Sequence, residues 1–341
     1  MSSKNVTALA VIDALNKITG GRIPLPGTPL VPGSHPFIVE KSSGIPGKAV
    51  LEIPGLLVGK PDKPISSIGV GMTLTESMIE LAGSIGLDAI ITHHPVADAA
   101  NSGGVPLKPY LELYNLALFE LHEAFHGLHP GIACMHGHRV LEKDIHYGGI
   151  PGNVLLYGQA LPGIANAGDI LKRLNSFINL ETEKRMLAAE AEIRASTGIC
   201  ETTLSARPKI MCGETGAPVQ FVLHIFPHTG FTSKHLESAL ASYPMTDTII
   251  ASISRVLPND RLTRSIRDKG LTFIIGSSHS QEIYENGLPL AYALKHELPE
   301  VSVTMLRERV TATPLENFGS ESIQEYARQM AGYLIHDGKG P

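Results

Sequence analysis

The stretch from Leu87 to Pro95 is the feature of this sequence that most limits its fold. A short apolar run, Ala89-Ile90-Ile91, lies between a helical pattern that ends in glycine and a proline, and this arrangement predicts a buried strand. His93 and His94 follow the run, at the C-terminal end of the strand, where open α/β sheets hold their ligands. Two adjacent imidazoles in such a loop can lean to one side and bind two metal ions, one each. The alternative is a pair of hydrogen-bonded loop histidines.

Strand and helix patterns alternate along the chain, and this alternation predicts an α/β fold with mostly parallel sheets. We expect two α/β domains, residues 1–155 and 156–341. In the first, the predicted strands are 49–53, 66–70, 89–91 and 132–135, and the predicted helices include 73–86 and 107–125. In the second, the predicted strands are 209–212, 219–225, 248–252, 271–275 and 301–306, and the predicted helices include 233–242, 260–269, 284–295 and 321–335. Residues 22–48 are rich in Pro and Gly, so we expect an irregular lid or subunit contact there.

Composition excludes several classes of protein. Lys and Arg together number 28 against 33 Asp and Glu, a net charge of −5, and no basic run occurs, so no nucleic-acid partner is expected. No apolar run approaches the ~20 residues that span a bilayer, so no membrane partner is expected either. The start of the chain lacks a signal-peptide pattern, and the three cysteines have no paired spacing. We therefore expect a cytoplasmic protein.

Two further strand ends carry histidine close to a carboxylate. His138 and Glu142 follow the predicted strand 132–135, and His279 and Glu282 follow the predicted strand 271–275. Imidazole and carboxylate are the ligands that Zn, Mn, Fe and Ni sites use. A solvated loop is the alternative for each pair taken alone, but the position shared with His93 and His94 favours one common metal site.

A competing motif, His122-Glu123-Ala124-Phe125-His126, matches H-E-x-x-H. On a helix this motif gives two zinc ligands and the general base of a peptidase. Here it falls in the last turn of the predicted helix 107–125, just before Gly127. A polar helix end, with histidines near the last carbonyl groups, is therefore favoured over the peptidase.

The chain resembles the NIF-three-like dinuclear-metal proteins, which carry a GTP cyclohydrolase I type 2-like annotation. The resemblance is carried by four segments: Gly55–Gly59, Asp88–Pro95, His138–Glu142 with Gly148-Gly149, and Ser278–Glu282. It implies two metal ions in a cleft between two α/β domains, and toroidal oligomers such as a hexamer. It also implies that the metal ligands are His93, His94, His279 and Glu282, with Glu142 as the bridging carboxylate.

The chain departs from the family pattern at three places. The family has Asp after His-x-x-Leu, where this chain has Glu142, and counting back from Gly148 selects Asp144 instead. His279 and Glu282 lie three positions apart rather than four. Met72 stands where the family often has Asp. The chain therefore resembles a divergent member, in which an altered metal preference is possible.

The resemblance implies a hydrolase that uses two divalent transition-metal ions (Zn, Mn, Fe or Ni) and a metal-bound hydroxide. The expected substrate is a small, nucleotide-like molecule, with Glu142 as bridge or base. The alternative is a metal-binding oligomeric scaffold or regulatory protein without catalysis. An open coordination position favours the enzyme, whereas a site closed by protein ligands favours the structural role.

Overall fold

The computed structural model describes residues 6–25, 27–42, 44–47, 49–96, 107–150 and 152–334. The strands are β1 (Val39–Ser42), β2 (Ala49–Glu52), β3 (Gly55–Val58), β4 (Ser67–Gly71), β5 (Ala89–Thr92), β6 (Ala117–Glu120), β7 (His138–Asp144), β8 (Leu155–Ala160), β9 (Cys200–Glu201), β10 (Lys209–Cys212), β11 (Phe221–Ile225), β12 (Thr248–Ala251), β13 (Thr272–Ile275), β14 (Ser302–Met305) and β15 (Thr311–Ala312). The α-helices are α1 (Ala8–Ile18), α2 (Glu76–Ser84), α3 (Leu107–Leu113), α4 (Gly131–Met135), α5 (Ala167–Phe177), α6 (Leu180–Ile193), α7 (Thr202–Ser205), α8 (Ser233–Ser242), α9 (Arg261–Asp268), α10 (Leu288–Glu297) and α11 (Glu321–Gly332). The predicted α/β class is confirmed.

The first sheet has the strand order β14-β4-β5-β6-β3. The four strands from β14 to β6 pair in parallel, and β3 pairs antiparallel with β6. Residues alternate between its two faces: Ile91 and Phe119 pack with α1 and α10, whereas Ile90 and Leu118 pack with α2 and α3. The strand predicted before His93 is thus buried on both faces, as its unbroken apolar run requires.

The second sheet has the order β10-β13-β12-β11-β8-β7. Its centre is parallel, since β12 pairs in parallel with both β11 and β13, while the outer pairs are antiparallel. Helix α5 covers one face, and α8 and α9 cover the other. Among the described residues, no helix is long and apolar enough to cross a membrane.

The order of the strands along the chain interleaves the two sheets. β7, which ends at residue 144, already belongs to the second sheet, and β14, at 302–305, returns to the first. No single boundary at residue 155 therefore separates the strands of one sheet from those of the other. The division into domains 1–155 and 156–341 stays a prediction. Because the chain returns to the first sheet after building the second, residues far apart in sequence lie close together where the two sheets meet.

The predicted helix 107–125 is wrong over its second half. Helix α3 ends at Leu113, Asn115 has a left-handed backbone (φ 51°), and the chain then enters β6. Ala117, Leu118 and Phe119 are fully buried because β6 lies inside the first sheet. The predicted strand 132–135 is instead the short helix α4. Within the predicted irregular segment 22–48, β1 pairs with β2 to form a hairpin.

Candidate metal centre

The candidate metal centre lies where strand ends of the two sheets meet. His93 and His94 follow β5, His122 follows β6, and His279 and Glu282 follow β13. The carboxyl ends of parallel strands share one edge of a sheet, which explains why β5 and β6 deliver their histidines together. The segment after β13 reaches this edge from the second sheet.

One group consists of three histidines. The ring nitrogen atoms of His93, His122 and His126 lie within 4.8 Å of one another, close enough to hold one ion. The ring centroids are 4.5 Å apart for His122 and His126, and 5.1 Å and 5.5 Å from His93 to His122 and His126. Three imidazoles in this arrangement match the protein ligands of many zinc sites.

A second group, His94, His279 and Glu282, lies beside the first and also has its ligand atoms within 4.8 Å. Glu282 Oε2 is 2.9 Å from His94 Nε2, and Glu282 Oε1 is 3.3 Å from His93 Nε2. The Glu282 carboxylate thus presents one oxygen to each group. Asn286, one turn later, donates to Glu282 Oε1 at 2.9 Å and keeps the carboxylate in this position.

Partners outside the groups fix the orientation of three rings. His93 Nδ1 donates to the Leu121 carbonyl oxygen at 2.9 Å. His94 Nδ1 lies 2.6 Å from Thr73 Oγ1, and His122 Nδ1 lies 3.0 Å from Glu52 Oε2. In each case Nδ1 is occupied, which leaves Nε2 for a metal. Metal-binding histidines usually have such an outer partner on the second nitrogen.

Charge and burial favour the protonation states in which these side chains can bind a metal ion. Burial alone would raise the pKa of Glu282, but the neighbouring His94, with hydrogen bonds from His93 and His94, holds it well below its usual range. Burial lowers the pKa of His93 and, more strongly, that of His122. Neutral imidazoles around an ionised carboxylate are what metal binding requires, so the residues present fit metal ions.

A third set of ligand atoms, Glu52, His122 and Glu123, already holds a cation of the protein itself. Lys41 Nζ lies 2.7 Å from Glu52 Oε1 and also contacts Glu123. Burial would lower the pKa of Lys41, but the charges of Glu123 and Glu52 outweigh it and raise that pKa. The Lys41 ammonium group therefore pairs with two buried carboxyl groups, one of which, Glu52, orients a histidine of the first group.

A cavity of about 760 Å³ opens in front of both groups. The polar part of its lining includes His94, His122, His126, His279 and Glu282 of the candidate centre together with His129 and His228, whereas His93 is buried. An apolar wall of the cavity consists of Ile132, Ala133, Val140, Ile150, Val154, Leu156, Phe226 and Ile253. This volume is typical of small-molecule sites.

Four of the five predicted ligands meet here, namely His93, His94, His279 and Glu282, but Glu142 does not. Glu142 is exposed on β7 and accepts a hydrogen bond from the Tyr243 hydroxyl at 3.0 Å. Asp144, the alternative, is also exposed and accepts from the backbone N–H of His146. The register of β7 shifts between Val140 and Glu142, so the four-residue step from His138 does not keep the two side chains together.

Sequence reasoning considered His122 and His126 only as ligands of the disfavoured peptidase motif. Their signal is a four-residue step placed directly after the apolar run 117–119, which is a strand end rather than a helix end. The segment of the H-E-x-x-H motif forms turns, so it lacks the helix on which a zincin presents its ligands. Glu123, the base of the peptidase alternative, is paired with Lys41.

One segment of the chain matches a known protein family. Residues 39–100 match the sequence profile of the Duf34/NIF3 (NGG1p interacting factor 3) family. No curated protein sequence matches the chain.

Several solved structures share the fold. Reduced HcgD from Methanocaldococcus jannaschii superposes with a TM-score of 0.56 at 15% identity, over 89% of this chain and 98% of that one. A Bacillus cereus protein related to NIF3 gives 0.52 at 12% identity, over 90% and 98%. A hypothetical protein from Staphylococcus aureus gives 0.53 at 12% identity, over 89% and 97%. The chain is therefore similar to the Duf34/NIF3 family over residues 39–100 and shares the fold of these structures.

Proposed function

We propose that the protein binds two divalent transition-metal ions side by side. One would be held by His93, His122 and His126, and the other by His94, His279 and Glu282. The observation that carries this proposal is the Glu282 carboxylate, whose two oxygens lie 3.3 Å from His93 Nε2 and 2.9 Å from His94 Nε2. Glu282 would thus take the bridging position that the sequence resemblance assigned to Glu142.

The two sites have different donor sets. Three imidazoles at the first site favour Zn, Fe or Ni, whereas the second site adds a carboxylate oxygen, which Mn and Fe also accept. His126 adds a third imidazole to the first site and no negative charge. The altered metal preference is therefore best sought there.

We further propose that the protein is a hydrolase for a small molecule. With Glu282 shared, the second ion would still have only three protein ligands, His94, His279 and Glu282, which is the number found at catalytic sites that keep a position open for substrate. When bound, a metal pair supplies Lewis-acid chemistry to a substrate bond. The chain's own contribution is to orient the ligand rings through Thr73 and Glu52, and to place His129 and His228 beside the substrate space. These two imidazoles can accept or return a proton.

Metal analysis of purified variants tests the two-ion proposal. We expect about two equivalents of metal in the wild-type protein, and a loss of about one equivalent in His122→Ala and, separately, in His279→Ala, because each removes a ligand of a different ion. Cobalt absorption spectra of both variants check that the remaining site keeps its geometry.

The matched controls are Glu142→Gln and His146→Ala, which change an exposed carboxylate and an exposed imidazole. Both should retain two equivalents. Full occupancy in His122→Ala would contradict the first site, and metal loss in Glu142→Gln would return the bridging role to Glu142.

The alternative without catalysis is an oligomeric scaffold, and one observation favours oligomers. Helix α11 has no buried residue, although it carries Ile323, Tyr326 and Met330 along one side. We propose that it packs against a second copy of the chain. An oligomer is compatible with either role, so hydrolysis assays on the metal-loaded protein decide between them.

A further inference from the structure

We infer that the cavity takes a ligand with one metal-binding head group and an apolar body, such as a carboxylic acid or its ester, and not a nucleotide. This inference rests on the proposed function for the head group alone. The body is assigned by the apolar wall of the cavity, which the proposed function does not use.

The wall is built from elements of the second sheet and from α4. Ile132 lies on α4, Val140 on β7 and Val154 just before β8, and each is partly exposed. They pack around Phe226 and Ile253 as one apolar cluster. Water against such a surface is unfavourable, so an apolar ligand body that displaces it gains affinity.

Ile253 shows that this wall is held in place by the backbone. Its φ is 59°, in the left-handed region that β-branched residues rarely adopt. Its backbone N–H donates to the Ser277 carbonyl oxygen at 2.7 Å, which fixes this conformation. Strained backbone of this kind concentrates at ligand-binding surfaces.

The charges around the cavity argue against a polyphosphate. Within the part of the chain that the structure describes, Lys41 is the single Lys or Arg side chain that lines it, and Lys41 is bound by Glu52 and Glu123. Glu40 and Glu282 line it as well. Four carboxylates against one paired ammonium group leave only the metal ions to neutralise an anion, so a ligand's charged groups beyond the metal centre would meet no unpaired cation of the described lining.

The test is a titration calorimetry series on the metal-loaded protein, with butanoate, hexanoate, octanoate and decanoate as ligands and GMP, GTP and inorganic phosphate as competitors. We expect affinity to rise by about fourfold for each added methylene group until the wall is covered, since each buries apolar surface. GMP and GTP should bind no more tightly than inorganic phosphate. Affinity that does not depend on chain length, or GTP binding above that of decanoate, would overturn the inference.

Near-isosteric variants locate the body of the ligand. Val140→Thr and Val154→Thr keep the side-chain shape but add a hydroxyl group, so decanoate affinity should fall by about tenfold in the double variant while butanoate affinity stays unchanged. Val310→Thr is the matched control, because Val310 is 65% exposed. Unchanged decanoate binding in the double variant would place the ligand elsewhere.

Failure of the metal proposal has a different signature. If metal analysis of the same samples finds no metal, the head-group assignment fails, and hexan-1-ol and octan-1-ol then test the wall alone in the metal-free protein. A rise in affinity from hexanol to octanol, lost in the Val140→Thr, Val154→Thr double variant, supports the wall. No such rise rejects it.

Discussion

At the scale of single residues, three further histidines are buried in the second half of the fold: His136 just after α4, His138 on β7 and His224 on β11. None of the three lines the cavity. His136 Nδ1 donates to the Ile132 carbonyl oxygen, so its Nε2 accepts from the Ser252 hydroxyl at 2.8 Å. His224 Nε2 donates to that hydroxyl oxygen at 2.7 Å, and His138 Nε2 donates to His224 Nδ1 at 3.0 Å. The hydrogen bonds therefore all run in one direction, which requires His136 and His224 to be neutral; His138 is buried with no partner for its Nδ1 among the described residues, which favours the neutral ring there as well.

This chain of rings makes stability depend on pH. Burial lowers the pKa of His136 to about 4 and that of His138 to about 3, and it holds the pKa of His224 well below its usual range. Between pH 6.5 and these values the unfolded chain binds protons that the folded protein cannot accept. Each of the three histidines then lowers the free energy of unfolding by roughly 1.4 kcal/mol per pH unit as pH falls. Above about pH 7 none of them changes the free energy of unfolding, because they are neutral in both states.

Urea unfolding of metal-free protein at pH 7.5 and pH 5.0 measures this dependence. Replacing His138 by Gln should reduce the loss between the two pH values, because one proton-binding group is removed. His146→Gln, which changes an exposed ring, should leave the loss as in wild type. An equal loss in His138→Gln would show that the buried rings do not govern acid sensitivity.

At the scale of elements, the β1–β2 hairpin lies outside the two large sheets and supports the candidate metal centre. β1 supplies Lys41 and β2 supplies Glu52, while Glu123 follows β6. Both carboxylates are nearly inaccessible, and Lys41 is a quarter exposed. Removing one partner from a buried ion pair leaves an uncompensated charge, which is more costly than losing a surface pair.

Lys41→Met should therefore lower the free energy of unfolding of the metal-free protein by roughly 3 kcal/mol. Lys41→Arg, which keeps the charge, should recover part of this loss. Thermal or urea unfolding measures both. Lys17→Met is the matched control, since Lys17 pairs with Glu297 while 71% exposed, and it should change stability by less than about 1 kcal/mol. Similar losses in the two Met variants would remove the special role of Lys41.

The same elements show what the sequence could predict. β5 was predictable because a fully buried strand is an unbroken apolar run that ends in a recognisable His-His-Pro. β6 was not, because Ala117-Leu118-Phe119 is short enough to pass as the end of the preceding helix, and periodicity does not separate the two. That one error placed His122 and His126 at a helix end rather than at a strand end, while Glu142 was expected independently, from the family resemblance and its step from His138.

At the scale of the whole molecule, the site depends on contacts between distant parts of the chain. His94 and Glu282 are 188 positions apart and lie at the ends of strands in different sheets. The resemblance to a family could place these two together, since both belong to its motifs. Lys41 and Glu52 belong to no such motif, and only the folded hairpin shows that they support the first group of histidines.

The exposed side of α11 is also a property of the whole molecule. Ile323, Tyr326, Met330 and Tyr333 follow steps of three, four and three, the spacing of a coiled-coil seam, and they are 39–77% exposed. The positions beside the seam are Ser322, Ala327 and Gln329, all uncharged. When the same helix of a second copy packs against this seam, no like charges face each other at these positions. A partner with charged residues there would find no residue of opposite charge beside the seam. This favours a second copy of the chain as the occupant.

Replacing Ile323 and Met330 together by Gln should therefore shift the protein to a smaller oligomer, while helix content is retained because Gln favours helices as much as Met does and more than Ile. Light scattering with size-exclusion chromatography measures the mass, and circular dichroism checks the helix. The matched control is Glu325→Gln with Arg328→Gln, which removes an ion pair on the far side of α11 and should leave the mass unchanged. Metal content should stay at the wild-type value in both variants, since the centre lies on other elements. A wild-type protein that is monomeric at micromolar concentration, or an oligomer that survives the double replacement, would show that α11 is not the surface through which two copies meet.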